Sequence, residues 1–417
     1  MSDPAAALPL FSACGIEIEY MIVRQDSHDV LPVADQLMKA VAGDHVNDIE
    51  DGPIAWSNEL VLHVIELKTN GPAPSLAALP DRFQAEIDRI NGWLAGFDGR
   101  LMPTAMHPWM NPALETRIWP HGSNEVYATF NRIFDCSGHG WSNLQSMHVN
   151  LPFAGDHEFM QLHTAIRTLL PIMPAIAASS PLMEWELTGL MDTRLETYRH
   201  NSRRIPQVTG WVVPEPAASR GQYERDILQP IYAAIAPHDP EAILQHEWLN
   251  ARGAIARFDR NTIEIRVLDT QETPAVDLAL AAAVRAALRA LIEPRWSDIA
   301  AQAAIETSPL ASILLDVIRA ADAAVIRDRD YLALFGFPEK HCEARELWQY
   351  LLEEIPAVMP DPDGGWRRTV GFILREGCLA RRIARAVGNG GRRSHVREAY
   401  RQLCECLATG RRFEGIG

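Results

Sequence analysis

The chain has 417 residues, 47% of them hydrophobic and 22% charged, with 39 Lys+Arg against 54 Asp+Glu and a formal net charge of -15. That is enough apolar chain for a large packed core, which excludes disorder, a collagen-like repeat and a long coiled coil. The acidic sum also argues against nucleic acid or an anionic membrane as partner, since both require a basic footprint.

The charge is unevenly spread. From Arg367 onward, twelve Arg and no Lys stand against four Glu, a net +8, which leaves -23 for residues 1–366. The six cysteines, Cys14, Cys136, Cys342, Cys378, Cys404 and Cys406, form no CxxC pair and read as reduced thiols of a cytoplasmic protein. Met1–Leu10 lacks the basic-then-apolar pattern of a signal peptide. The most apolar stretch, Ala165–Met183, is interrupted by Arg167, Pro171, Pro174 and Pro181, so no membrane span is expected.

In chain order, the first expected strand is Cys14–Val23, where period two puts Glu17 and Glu19 on one face and Ile16, Ile18 and Tyr20 on the other. The second, Leu60–Lys68, sets Glu66 between Ile65 and Leu67, with Glu59 seven residues upstream. Phe83, Ile87, Ile90 and Leu94 at helical spacing mark a helix over Asp81–Leu94. A strand over Ser146–Phe153 sets Ser146, His148 and Asn150 against Met147, Val149 and Leu151, and a helix over Asp156–Leu170 follows. The strand Asn261–Leu268 sets Glu264 and Arg266 against Ile263, Ile265 and Val267. After the Ala-rich helix Ala275–Ile292 only helical patterns remain: Pro309–Ala323, Cys342–Glu354, Arg367–Val387 and Ser394–Ala408. Gly and Pro mark breaks at Asn70–Pro74, Pro214–Pro216, Pro360–Gly365 and Gly388–Gly391, the third a hinge or a solvated turn before the basic tail. Strands first and helices last predict an α+β architecture, with a sheet-and-helix body over residues 1–300 and a helical part over 301–417 packed on it.

The polar strand faces carry the chemistry. Glu17 and Glu19 alone would suit a solvated edge strand. Across four strands, however, the polar residues are Glu, Glu, Glu, Glu, His and Glu with an Arg beside the last, rather than a solvent-facing mixture of Lys, Thr, Gln and Ser. If these strands are neighbours, so many carboxylates on one face raise one another's pKa and resist ionising together unless cations intervene. Oxygen ligands with at most one imidazole and no thiolate favour Mg²⁺ or Mn²⁺ over Zn²⁺, and such ions commonly bridge carboxylates to substrate phosphates.

These residues resemble the glutamate-cysteine ligase type 2 family of carboxylate-amine ligases. The resemblance rests on GIEIEY (15–20), Glu59 and Glu66 in NELVLHVIELKTNGP, SMHVNLP (146–152), ASSP (178–181), TYRHNSRRIP (197–206) and IEIRVLDTQETP (263–274), an ordered set spanning about 260 residues. It implies a glutamine-synthetase-like fold, an antiparallel sheet curved into a half-barrel whose concave face holds Mg²⁺ and ATP. Glu17, Glu19, Glu59, Glu66, His148 and Glu264 would be the metal ligands. Arg266 would contact the transferring phosphoryl group, and Arg199 and Arg203 would hold a phosphate or the substrate carboxylate. The implied reaction is ATP-dependent activation of a carboxylate, the γ-carboxylate of glutamate by family resemblance, followed by attack of an amine to give an amide. The Trp- and His-rich stretches between the second and third motifs depart from the family and leave the acceptor amine open. A kinase of a guanidino or amine group, or a non-catalytic nucleotide- or amino-acid-binding protein, would share the same site.

His107, His121 and His139 lack the spacing of a zinc motif and are expected in structural or substrate-facing roles. Trp109, Trp119 and Trp141 are expected to pack. Ser179 and Ser180 suit a helix-ending turn rather than a nucleophile elbow. The Arg-rich tail, with Arg375, Arg381, Arg382 and Arg385, has three readings: docking on the acidic body, binding a polyanion, or a subunit interface in a homo-oligomer. Charge complementarity favours the first.

Overall fold

A computed structural model describes residues 7–356, 365–388 and 392–415. Its main sheet comprises β1 (Gly15–Arg24), β2 (Asp48–Ile49), β3 (Ile54–Asn58), β4 (Val64–Thr69), β5 (Gly99–Met102), β6 (Ser146–Pro152), β9 (Ala254–Arg257) and β10 (Thr262–Asp269). Two small hairpins pair β7 (Leu182–Met183) with β8 (Glu186–Leu187) and β11 (Val325–Ile326) with β12 (Cys342–Glu343). The strand order is β2-β3-β4-β1-β6-β10-β9, every pairing is antiparallel, and β5 and β6 share one edge of β1. The expected α+β class and curved antiparallel sheet are what the chain forms.

Period two divides β1 between two environments. Ile16, Ile18, Tyr20 and Ile22 are fully buried on the outer face, in a core shared with the helices Leu79–Leu94, Gly155–Leu169 and Pro274–Ile292. The last helix is buried nearly all round, which its Ala-rich sequence permits because small side chains allow close approach on every side. The inner face carries Glu17 and Glu19 and then turns apolar at Met21 and Val23. That apolar end is covered by the tail: Leu379, Ile383, Val396, Tyr400 and Leu403 form a second core with Met21, Val23, Met102 and Trp109.

Docking of the tail on the acidic body is therefore both apolar and ionic. Arg382 donates to Glu272 at 2.7 Å, with both side chains buried, and Arg381 pairs with Asp322 at 2.8 Å. Arg385 instead bonds the Glu376 carbonyl within the tail. Further back, buried polar tips find carbonyl partners on the body, Trp348 Nε1 at Ile172 O and Tyr331 Oη at Thr168 O, as buried donors must.

Three expectations need correction. Leu60–Lys68 is a strand only from Val64, because Leu60 O and Leu62 N are taken by Trp119 N and Arg117 O. Arg367–Val387 is two helices, Gly365–Glu376 and Leu379–Val387; Gly377, at φ +92°, breaks it between them. Cys342 and Glu343 form a strand and the helix starts at Ala344. Strands β3, β5 and β9 escape a sequence reading because they are four or five residues long and buried at every position, so they carry no alternation. The Pro360–Gly365 break lies mostly outside the described residues, as does most of Gly388–Gly391.

Strand β10 carries a bulge. Ile265 faces Val149 but Leu268 faces Met147, so one extra residue intervenes beside Arg266. Opposite it, Gly253 accepts Arg266 N through its carbonyl at 2.8 Å, and a Cβ on Gly253 would run into Val267 Cγ1 and stand 3.0 Å from Val212 Cγ1. Gly253→Ala is expected to cost about 1–3 kcal/mol by overpacking, read as a lower denaturation midpoint with unchanged slope.

Candidate active site

The register places the predicted carboxylates together. Glu17 lies opposite His148 on β6 and Glu19 opposite Glu66 on β4, and directly opposed residues project to the same face. Glu264 on β10 lies opposite Asn150. Glu59 follows β3 and is close enough to Glu19 and Glu66 for their charges to act on it. Five of the six expected ligands are thus gathered on the inner face, with Glu59 beside them after β3, and Arg266 joins them by donating from Nε to Glu264 Oε1 at 2.5 Å.

Hydrogen bonds order the cluster. His148 contacts Glu17 Oε2 from Nδ1 at 3.1 Å and Ser146 Oγ from Nε2 at 2.9 Å. Asn150 donates to the other Glu17 oxygen at 3.0 Å. Ser146 N donates to Glu19 Oε2 at 2.6 Å, and Ser57 Oγ to Glu66 Oε1 at 2.6 Å.

The electrostatics show a site short of positive charge. Burial raises the Glu17 carboxyl, but the hydrogen bond and charge of His148, with Arg266 and Arg260, outweigh it and hold it down to about 2. Burial leaves Glu19 above its ordinary value despite His148 and Ser146. Burial and then the charges of Glu19 and Glu66 push Glu59 well up. Glu66 is pushed to about 8 by burial and by Glu17, although Lys68 and Ser57 oppose the shift. Burial alone would lower His148, yet Glu17, Glu19 and Glu264 raise it to about 9.

A bound cation would answer that deficit. Glu17, His148 and Glu264 offer ligand atoms within 4.8 Å of one another, and so do Glu19, Glu66 and His148. Such oxygen-rich sets with one imidazole fit a hard divalent ion, and buried carboxylates that raise one another's pKa are what such an ion would stabilise.

A linkage prediction follows. Glu66, raised from 4.5 to about 8, stabilises the fold fully below pH 4.5 and loses that contribution as pH rises through about 8. His148, raised from 6.5 to about 9, does the same between those values. Glu17 acts oppositely and contributes above pH 4.5, with loss only toward pH 2. Metal-free protein should therefore melt at lower temperature at pH 9 than at pH 6. Saturating Mg²⁺ should remove most of that difference by taking the place of the lost protons. Thermal unfolding in chelator and in Mg²⁺ at the two pH values measures it; an equal fall in both would contradict it.

Among the described hydrogen bonds and ion pairs, Arg199 and Arg203 make none with this set. Arg199 pairs with Glu196 on its own helix at 3.0 Å, and Arg203 is exposed. Their chain neighbour Tyr198 lies near Arg266. His107 is buried with Nε2 against His28 O at 2.9 Å, and His139 meets Glu184 at 3.3 Å. Trp109 and Trp119 are buried as expected.

Two arginines were missed. Arg257 on β9 reaches Glu264 at 3.4 Å. Arg194 is buried, donates to Asp269 at 2.5 Å and reaches Arg266 O at 3.1 Å. Asp269 also accepts Ser179 N and Ser180 Oγ, each at 2.8 Å, so the two serines are supports rather than nucleophiles. A signal for Arg194 existed: a basic residue in the first turn of the helix Thr193–Tyr198 opposes the helix dipole, so something else must hold it.

Solved structures share this architecture. The glutamate–cysteine ligase of Francisella tularensis in complex with AMP aligns at TM-score 0.59 and 12% identity, over 95% of this chain and 89% of that one. A bifunctional glutathione synthetase from Pasteurella multocida aligns at TM-score 0.62 and 12% identity, over 96% of this chain and 53% of that one. At 12% identity these likenesses show a shared fold, that of mixed α/β ligases built on a mostly antiparallel sheet. The model of glutamate-cysteine ligase family 2 (GCS2) matches residues 13–329, and the chain belongs to that family. An uncharacterised protein of Archaeoglobus fulgidus is 36% identical over 285 residues, 68% of this chain and 76% of that one. Among the described residues, no helix is long and apolar enough to cross a membrane.

Proposed function

We propose that the protein is an ATP- and Mg²⁺-dependent ligase that joins the γ-carboxylate of glutamate to an amine through an acyl phosphate. The observation that carries this reading is the gathering of four glutamates, His148 and Arg266 on one sheet face, with Glu59 beside them, in a chain of this family. A carboxylate is a poor acyl donor. Transfer of the γ-phosphoryl group of ATP to a carboxylate oxygen breaks the γ-phosphorus bond to the bridging oxygen and releases ADP. The amine nitrogen then attacks the acyl carbon, the C–O bond to phosphate breaks, and phosphate leaves as the nitrogen loses a proton.

Bound by Glu17, Glu19, Glu59, Glu66, His148 and Glu264, Mg²⁺ would supply Lewis-acid charge neutralisation for the phosphates. Arg266 lies at the edge of this set, held by Glu264 and by the bulge, and would donate to the oxygens of the transferring phosphoryl group. Fixing it beforehand avoids reorganisation during the reaction. Glu17, itself held by Asn150, and Ser146 hold His148 in one orientation within the set.

The test is incubation with ATP, Mg²⁺, glutamate and a panel of amines, following ADP and a new amide by mass spectrometry. Amide formation with stoichiometric ADP supports the reading. A stable phosphorylated acceptor without amide would identify a kinase instead.

A further inference from the structure

A second cluster of metal-binding side chains lies outside the acidic face. Asp35, His45 and His121 offer three ligand atoms within 4.8 Å of one another, from a helix, the loop after it and a loop 86 residues beyond Asp35. His121 Nε2 stands 3.1 Å from Asp35 Oδ2, and the His45 and His121 rings stack at 3.8 Å and 18°. The His121 ring is also fixed from the side by the edge of buried Trp119 at 5.2 Å. A positive charge already approaches the cluster: exposed Lys39 brings Nζ to 3.5 Å from His45 Nε2.

We propose that Asp35, His45 and His121 form a second cation site, selective for a borderline transition metal such as Zn²⁺ and distinct from the carboxylate site. Two imidazoles and one carboxylate are the donor set of three-ligand zinc sites completed by water, whereas a Mg²⁺ site is built from oxygens. The molecule thus separates two metals by donor chemistry. The site also has a structural reach. The segment that carries His121 pairs with the turn after Glu59, through Trp119 N at Leu60 O and Leu62 N at Arg117 O. Zn²⁺ bound there would tie the helix Ala34–Ala42 to that segment and so steady the turn beside Glu59.

The test is titration of full-length protein with Zn²⁺ in saturating Mg²⁺, with the bound metal counted by elemental analysis after gel filtration. The wild type is expected to retain one Zn²⁺ per chain, and His45→Ala and His121→Ala each to lose it, while Glu19→Gln retains it. His45 is exposed, so its variant should fold, and unchanged circular dichroism checks that. Failure of the wild type to retain Zn²⁺, or equal retention by both histidine variants, would overturn the proposal. Neither result depends on the ligase reading, which is scored by amide formation.

Discussion

Arg266→Ala is expected to lower turnover by roughly 10²–10³-fold, the usual cost of losing a preorganised charge at a developing anion. Arg266 is held by Glu264 at 2.5 Å, through its own backbone N by Gly253 O, and through its own carbonyl by Arg194. Its position is therefore set by three elements and is not free to be replaced by a neighbour. Arg257 also reaches Glu264, at 3.4 Å, but from β9, and its second nitrogen is engaged with Asp259. Arg266→Lys should recover only part of the loss, since an ammonium lacks the planar fork that meets phosphoryl oxygens. Steady-state kinetics separate the outcomes: the fall should lie in kcat, with the KM for ATP changed less. A variant with wild-type kcat would remove Arg266 from the reaction.

Asp269→Asn is expected to be the most destabilising conservative change, at about 3–5 kcal/mol, because removing one charge of a buried pair leaves the other uncompensated. The Asp269 and Arg194 side chains are 0% and 2% exposed. Asn preserves volume, so the loss would report the charge rather than a cavity. Asp269 also collects Ser179 and Ser180, and the next residue, Thr270, donates to Glu19 O at 3.2 Å. Loosening it should displace both Glu19 and Arg266, so activity should fall beyond what the unfolded fraction explains. Chemical denaturation gives the first quantity and kcat of the folded fraction the second. A change below about 1 kcal/mol would mean that Arg194 finds another partner.

The site was legible in the sequence where side chains alternate. GIEIEY, SMHVN and IEIR each display polar and apolar faces with period two, so register alone was missing, and antiparallel pairing supplied it. Glu59 was legible only through the family resemblance, since it sits in a turn after a strand that shows no alternation. Arg194 and Asp269 were hidden because a buried ion pair between residues 75 apart leaves no periodic trace. The role of the +8 tail is partly resolved by contacts that period analysis cannot reach. Its helices close the apolar end of the same face that carries the glutamates, and Arg382 meets Glu272 in the interior. The break at Gly377 was readable in principle, but the helical spacing on both sides masked it.

The proposed reaction activates a carboxylate by phosphoryl transfer on the face that holds Glu17, Glu19, Glu66, His148, Glu264 and Arg266. Glutamate labelled with ¹⁸O in its γ-carboxylate, incubated with the enzyme, ATP, Mg²⁺ and an amine that supports amide formation, tests it most directly. An acyl phosphate requires one labelled oxygen to leave with phosphate, so mass spectrometry should find one ¹⁸O per phosphate released and one retained in the amide. Phosphate without label, or label retained in full by the glutamyl product, would exclude an acyl phosphate.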